Sequence, residues 1–284
     1  MCAVKVIADS ACDLPREMLE RWDIRIVPLK VMLGNEDVTH LYDKPDAFWH
    51  AVERTGLRPQ TAAPSPESLV QVTRPLIEAG HDVLAISLTS RISGVYQSFQ
   101  IAAQDFPGRL VAFDSWSLSL GEGLQVFEAA KRAAQGATLQ ELVAHLTDLR
   151  SRVHLTAVLN TLDWAEQGGR IAYLMPIIRR ATKLFNVHVL LHVVDGYVRF
   201  AGAQRSYGSA VRVLKQSTLH HAPVSHFWVP HTRNAQLAEE LTDELALILN
   251  IPRGEVLVHE AGAVLGAHVG PRAIGTVVVS TRDT

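Results

Sequence analysis

Side chains that could bind a small anion follow one apolar segment of the sequence. Val83–Leu88 is short and apolar enough for a buried strand, and the hydroxyl-bearing and basic residues Thr89–Arg91 come directly after it. Ser93 and Gly94 stand next, and beyond them the apolar spacing changes to that of a helix. The chemistry this arrangement favours is hydrogen bonding to an anion rather than bond cleavage.

Ser93 is a good N-cap for the predicted helix, because its hydroxyl can accept from the first unpaired amides of the turn. Gly94 beside it lets a ligand approach the backbone closely. A strand, a polar loop and a helix start together suit phosphate or carboxylate equally well. The alternative is an ordinary capped helix with no ligand.

Two further polar turns are predicted to lie at the same sheet edge. Asp9-Ser10 follows the apolar run Val4–Ala8, and Asp114-Ser115 follows Leu110–Phe113. Strands alternating with helices at this spacing favour a βαβ domain with a mainly parallel sheet. Ligands of such sheets bind at the carboxyl ends of the strands. The convergence of these turns therefore favours a ligand site over a plain helix cap.

A proline-rich segment, Gly56–Pro66, precedes this stretch. Each proline biases the preceding residue away from helical angles, so the segment should be extended and should present Thr61 on a fixed path. The alternative is a plain linker into a helix that Ser65 caps and Pro66 begins.

The chain of 284 residues is long enough for two ordinary domains. We predict an α/β class protein with an N-terminal βαβ domain over residues 1–152 and a C-terminal α+β domain over residues 153–284. The second part differs in pattern: the apolar runs Phe185–Val194 and Tyr197–Ala201 flank Asp195-Gly196, which is a strong hairpin signal. A ligand is expected between the two domains.

Composition bounds the partners and the compartment. The formal net charge is −2 with no basic block, so nucleic acid is not an expected partner. Cys2 and Cys12 do not form a disulfide framework, and the N-terminal apolar run is too short for a signal sequence or a membrane span. These features predict a cytoplasmic protein that makes at most transient membrane contact.

The usual catalytic signatures are missing from the sequence. It has no dinucleotide-binding glycine motif, Walker motif or nucleophile elbow, no zinc spacing, and no close carboxylate pair for acid–base work. We therefore predict no metal, no cofactor and no catalytic residue. The alternative is a serine esterase or acyl transferase in which Ser93 pairs with a histidine, most plausibly His268.

Six blocks along the chain, taken together, resemble the DegV family. They cover the chain from end to end in the family's order, which is more specific than any single block. The blocks are Asp9–Pro15, Thr61–Ser65, Ser90–Ser98, Phe113–Ser115, Thr161–Ile171 and Gly266–Pro271.

The resemblance implies a protein that binds one long-chain fatty acid with its tail buried. Some family members are non-catalytic subunits of bacterial fatty acid kinase: an ATP-binding subunit phosphorylates the carboxylate, and the acyl phosphate enters phospholipid synthesis. By the same resemblance, Thr61, Ser93, Gly94 and His268 bind the carboxylate. A lipid-responsive regulatory protein is a third reading.

Two arginines match positions that in such members face the kinase, Arg170 and Arg205. Each has a plainer alternative, since Arg170 can cap a helix end and Arg205 can be a solvated charge. His268 can likewise serve only to hydrogen-bond the glycine-rich turn Gly262–Gly270.

Three positions depart from the family pattern. Ala62 replaces a serine and Val95 a threonine, which should remove polar groups near the head-group site. Arg272 stands where a small residue is usual, and it either adds charge there or caps the loop.

Overall fold

A computed structural model describes residues 3–181 and 187–281 of the chain. Two residues named above, Cys2 and Phe185, lie outside these ranges. The chain divides into two units. The first comprises the chain up to Ser151 together with Gly262–Val264, and the second comprises Arg152–Ala261 and the chain from Leu265 onward.

In the first unit, strands and helices alternate along most of the chain. The strands are β1 Val4–Asp9, β2 Arg25–Val27, β3 Lys30–Leu33, β4 Glu36–Asp37, β5 Pro59–Ala62, β6 Asp82–Ser87 and β7 Leu110–Asp114. The helices are α1 Arg16–Arg21, α2 Pro45–Thr55, α3 Pro66–Glu78, α4 Val95–Ala103, α5 Leu120–Ala134 and α6 Leu139–Arg152, the last ending at the unit boundary.

The main sheet of this unit is parallel, with the strand order β2-β1-β6-β7. Its central strands β1 and β6 are buried almost throughout, because helices cover both faces of a parallel sheet and select continuous apolar runs. The predicted α/β class and parallel sheet are confirmed. The carboxyl ends of β1, β6 and β7 consequently lie side by side.

A small antiparallel sheet, with the order β4-β3-β5, fixes the proline-rich segment. The segment was predicted to be an extended loop, and part of it is strand β5, in which Thr61 pairs with Val31 of β3. Ser65 caps α3 as predicted, accepting from the N–H of Ser68 at 3.3 Å. The path of the chain around Thr61 is therefore set by backbone pairing.

Helix α5 packs unusually closely on the turn that follows β1. A methyl group at Gly123 would lie 2.4 Å from the carbonyl oxygen of Cys12, so only glycine allows this approach. The close packing brings the first turn of α5 next to the ends of the parallel strands.

The second unit is a mixed sheet with helices. Its strands are β8 Val153–Leu159, β9 His188–Val194, β10 Tyr197–Gln204, β11 Val224–His231, β12 Val258–Glu260 and β13 Ile274–Ser280. Its helices are α7 Asp163–Gly168, α8 Met175–Ala181, α9 Tyr207–His220, α10 Ala235–Leu249 and α11 Ala263–Val269, of which the first two residues belong to the first unit.

The sheet order is β10-β9-β8-β13-β11-β12, antiparallel except for the β11–β12 pair. The predicted hairpin at Asp195-Gly196 is confirmed, since it joins the antiparallel strands β9 and β10. Apolar residues of α9 and α10 pack on this sheet around buried Phe227, Leu214 and Leu245.

The structure of the glycine-rich segment near the C-terminus differs from the prediction. Gly262–Gly270 was expected to be a glycine-rich turn, but most of it is helix α11. The helix contains one glycine, Gly266, among good helix formers such as alanine and leucine, and tertiary packing outweighs the propensity cost of that glycine. Across the described residues, we find no helix with the length and apolarity that a membrane span requires.

Candidate functional site

Asp9 joins the end of β1 to the loop that follows β6. Its side chain is completely buried, and both carboxylate oxygens accept backbone N–H groups. One oxygen accepts from Ala11 at 2.8 Å and the other from Leu88 at 2.8 Å. The predicted meeting of these two polar turns at one edge is thus confirmed, and a side-chain carboxylate makes the connection.

Asp114, at the end of β7, also holds the loop after β6 through its side-chain carboxylate. Its carboxylate accepts from the N–H of Ser90 at 3.2 Å and from the N–H of Trp116 at 3.1 Å. The Arg150 guanidinium donates to the Asp114 carbonyl oxygen and lies 3.8 Å from the centre of the Trp116 ring. The loop after β6 is therefore held from both neighbouring strands.

Ser93 and Gly94 lie at the start of α4, but Ser93 is not the N-cap that the sequence predicted. The N-cap is Gly94, and the Ser93 hydroxyl accepts from the N–H of Val95 at 3.4 Å. Ser93 therefore precedes the N-cap by one residue. Gly94 is exposed, and the first N–H groups of a helix lack intrahelical partners, so this end remains suited to an anion.

The loop after Thr61 passes beside Gly94. A methyl group built on Gly94 would lie 3.9 Å from the Cβ of Ala63, which is in van der Waals contact. The Thr61 side chain is itself half-buried. The structure thus brings two sequence-predicted segments, Thr61–Ala63 and Ser93-Gly94, together within the first unit.

His268 lies in α11, in the second unit. Burial, with a smaller effect from the positive charge of Arg170, lowers its pKa to about 4. The imidazole is therefore neutral at pH 7, and a protonated His268 that meets a carboxylate ion is not the resting state. A neutral imidazole can still donate one hydrogen bond to an anion.

Gly168 makes room for the His268 ring. A methyl group at Gly168 would lie 2.4 Å from Nδ1 of His268, closer than real atoms approach. Arg170 is exposed and donates to the Gly168 carbonyl oxygen at 3.0 Å, which is the helix-end contact considered above. The structure therefore groups His268, Gly168 and Arg170, whereas Arg205 is exposed in the turn between β10 and α9.

The three departures from the family pattern have different structural positions. Val95 is completely buried and Ala62 is exposed. Arg272 is exposed with a left-handed backbone (φ 64°), which disfavours side chains other than glycine or asparagine and explains why a small residue is usual there. Its own N–H donates to the Thr232 carbonyl, so the loop is held by backbone contacts.

The sequence showed no close carboxylate pair for acid–base work, and sequence reasoning did not predict the buried carboxyl cluster that the structure contains. Asp9, Asp13 and Glu122 are all buried, and mutual repulsion adds to burial in raising the pKa of Glu122 well above its ordinary value. Burial also raises the pKa of Asp13 to about 6. The available signal was Glu122 itself, which sits on the apolar stripe of α5.

Residues 3–181 and 187–281 contain no group of three or more His, Cys, Asp or Glu side chains arranged to hold a metal ion. Hydroxyls and helix-start amides in the first unit, and an imidazole in the second, are groups that can donate hydrogen bonds to an anion.

The fold and the strand-end loops define the class of protein: a chain of two units whose first unit is an α/β domain with polar loops at the carboxyl edge of a parallel sheet. The chain belongs to the DegV family, because the family model described as uncharacterised proteins of the DegV family matches residues 3–281. The resemblance seen in the six sequence blocks is confirmed.

Individual relatives and solved structures match this chain over almost its whole length. A DegV domain-containing protein of Caldanaerobacter subterraneus is 28% identical over 277 residues, covering 96% of this chain and 97% of the relative. The solved structure of a fatty-acid-binding DegV family protein from Thermus thermophilus is 29% identical, with a TM-score of 0.84, and covers 98% of this chain and 99% of that one. A stearic acid-binding protein from Eubacterium ventriosum shares the fold at 24% identity, with a TM-score of 0.83 and 98% of each chain covered.

Proposed function

We propose that this protein binds a long-chain fatty acid and presents its carboxylate to an ATP-binding partner kinase, so that the acyl phosphate formed feeds phospholipid synthesis. The observation that carries the proposal is the approach of Thr61–Ala63 to Gly94, which gathers a strand hydroxyl, Ser93 and a helix start at one place. Family membership and the fatty-acid-binding relative from Thermus thermophilus support the same ligand.

The energetics of such a ligand are dominated by its tail. Burying about fourteen methylenes at about 0.8 kcal/mol each contributes roughly 11 kcal/mol before ordering costs are subtracted. The head group then needs orientation rather than strong attraction. In this proposal Thr61, Ser93, the amides beyond Gly94 and the neutral His268 supply that orientation.

The role we propose is binding, without catalysis by this chain. A serine hydrolase needs an acid that supports its histidine as a base. The charged group that acts on the pKa of His268 is instead Arg170, a cation, which opposes proton uptake by the imidazole. This observation favours the carrier over the esterase or acyl transferase.

Removing either hydroxyl should weaken binding of the fatty acid carboxylate. For Ser93→Ala and Thr61→Val we expect about tenfold weaker affinity each, because a hydrogen bond to a charged group contributes about 1.5–3 kcal/mol and the half-buried positions of both residues favour the lower end. Native mass spectrometry of the purified protein should first show bound fatty acid, and titration calorimetry with palmitate after delipidation gives the affinities.

Thr147→Val is the matched control, because Thr147 is exposed on α6 and its hydroxyl bonds only to its own helix at Val143. Protein that neither carries lipid nor takes up palmitate would refute the fatty acid function. Normal affinity in both site variants would refute the two hydroxyl assignments alone.

The partner kinase is expected to contact Arg205. In Arg205→Ala, phosphorylation of the bound fatty acid by the ATP-binding subunit should slow by about tenfold at limiting kinase, since charge at an interface mainly sets the association rate. Palmitate affinity should not change. Acyl phosphate trapped as the hydroxamate measures the rate.

Arg212→Ala serves as the control, because Arg212 is also an exposed arginine, on α9 of the same unit. Equal rates for the Arg205 and Arg212 variants would contradict the docking role. Failure of any ATP-binding subunit to phosphorylate the bound fatty acid would contradict the kinase partnership.

A further inference from the structure

The carboxylates of Asp9 and Asp114 accept hydrogen bonds from alternate backbone N–H groups of the loop between β6 and α4. Asp9 accepts from Leu88 at 2.8 Å, and Asp114 accepts from Ser90 at 3.2 Å. The amide between them, that of Thr89, donates to the Ser117 carbonyl at 2.8 Å. The backbone N–H groups of the three consecutive residues Leu88–Ser90 therefore all donate to acceptors within the first unit. These bonds fix the direction in which the chain continues to Ser93.

The Asp9 contact is the long-range one. It links residues 79 apart in sequence, and it comes from a side chain that is completely buried. Its second oxygen accepts from Ala11, so each carboxylate oxygen accepts one backbone N–H. An ionised carboxylate accepts at both oxygens, whereas a protonated one must give up part of this capacity.

The groups around Asp9 all carry negative charge or none. Asp13 and the Cys12 thiol face it from the turn after β1, and Glu122 faces it from the first turn of α5. Asp114 acts on Glu122 from the end of β7. Burial, with a smaller addition from Asp13, raises the pKa of Asp9 to about 7 despite its two backbone bonds.

We propose that the ionised carboxylate of Asp9 positions the loop Leu88–Ser93 for the ligand's carboxylate, and that protonation of Asp9 loosens this loop and weakens head-group binding. The inference rests on the proposed fatty acid function and adds a regulation of the same site by pH. Asp9 acts through Leu88 and the loop, so it is a positioning residue.

The direction of the pH effect distinguishes this role from simple repulsion. If Asp9 positions the loop, palmitate affinity falls as the pH drops through about 7, by about fivefold between pH 8 and pH 6. If the Asp9 charge merely repels the ligand carboxylate, affinity rises over the same interval. Protonation of His268, near pH 4, lies below this window.

The test compares Asp9→Asn with Glu122→Gln, using palmitate and hexadecanol as probes below their aggregation concentrations. Asn places an NH2 group where one backbone N–H now donates, so palmitate affinity should drop by about fivefold and lose its pH dependence. Glu122→Gln removes a neighbouring carboxyl that has no hydrogen bond to the loop, and should behave like the wild type. Hexadecanol has no carboxylate, so its affinity should be the same in all three proteins.

Several results would overturn the proposal. They are a pH dependence that persists in Asp9→Asn, an affinity that rises on acidification, and an equal loss of palmitate and hexadecanol, which indicates general damage. A ligand-free measurement covers the case in which Asp9→Asn does not fold. The amide NMR resonance of Leu88 in the wild type should titrate with a midpoint near pH 7, and the absence of that inflection refutes the inference even if palmitate binds.

Failure of the fatty acid function is seen separately, in wild-type protein that binds neither probe at any pH. In that case the positioning role for a fatty acid falls with it. Wild-type binding with an unaffected Asp9→Asn variant removes only the inference made here.

Discussion

Alanine at position 168 should move the His268 ring and weaken fatty acid binding by roughly tenfold to a hundredfold, since a hydrogen bond to a charged group contributes about 1.5–3 kcal/mol. The added methyl group would lie 2.4 Å from Nδ1 of His268, so the imidazole has to turn away. Gly168 has ordinary helical backbone angles at the end of α7, and alanine is therefore tolerated by the backbone itself. The expected damage is local.

A double-mutant cycle with His268→Ala makes this prediction specific. If Gly168→Ala acts through the imidazole, adding it to His268→Ala should cause almost no further loss of palmitate affinity. Gly208→Ala is the matched control, because Gly208 is exposed in α9 and a methyl group there meets nothing within 4 Å. Additive losses in the double variant would show that Gly168 matters for another reason.

Replacing Glu122 with methionine should stabilise the first unit by about 2 kcal/mol at pH 8, because the desolvation cost of an unpaired buried polar group is removed. Within the described residues, neither carboxyl oxygen of Glu122 has a hydrogen-bond partner. Asp9, Asp13 and Asp114 surround it with like charge. Methionine has a similar length and fills an irregular space well.

The sign of the pH dependence follows from the raised pKa of Glu122. Above the pKa of an unfolded glutamate the folded protein holds a proton that the unfolded chain releases, so wild-type stability falls as the pH rises. The stability advantage of Glu122→Met should therefore be smallest below about pH 4.5 and widen towards pH 8. Urea denaturation at a series of pH values measures it.

Glu141→Gln provides a control of opposite sign. Glu141 is exposed, and hydrogen bonds from Thr138 lower its pKa, so its ionised form stabilises the folded state above the pKa of an unfolded glutamate. Its replacement should reduce stability at pH 8 and have no effect at low pH. A Glu122→Met protein that is less stable than the wild type at pH 8 would contradict the argument.

Local patterns predicted the elements well where burial is simple. The runs at Val4 and Leu84 read as buried strands because both faces of a parallel sheet are covered. The hairpin at Asp195-Gly196 was evident because two adjacent residues, Asp-Gly, are enough to favour a two-residue hairpin turn. Helix α11 was missed because glycine content lowers a helix signal that packing then restores.

The site shows the same division. Thr61, Ser93, Gly94 and His268 were proposed from motifs, yet no motif indicated that the loop after Thr61 contacts Gly94. The N-cap was misplaced by one residue, since Gly94 rather than Ser93 takes that position before Val95.

The sequence by itself determined the family, the parallel strands and the polar residues at their ends, since each of these is recorded in neighbouring positions. Only the tertiary structure decided that Asp9 holds Leu88, that Glu122 is buried among carboxyls, and that Gly168 makes space for His268. These contacts join residues far apart in the chain, and their energies depend on burial and on mutual distance. Such quantities exist only once the chain has folded, so periodicity and spacing do not contain them.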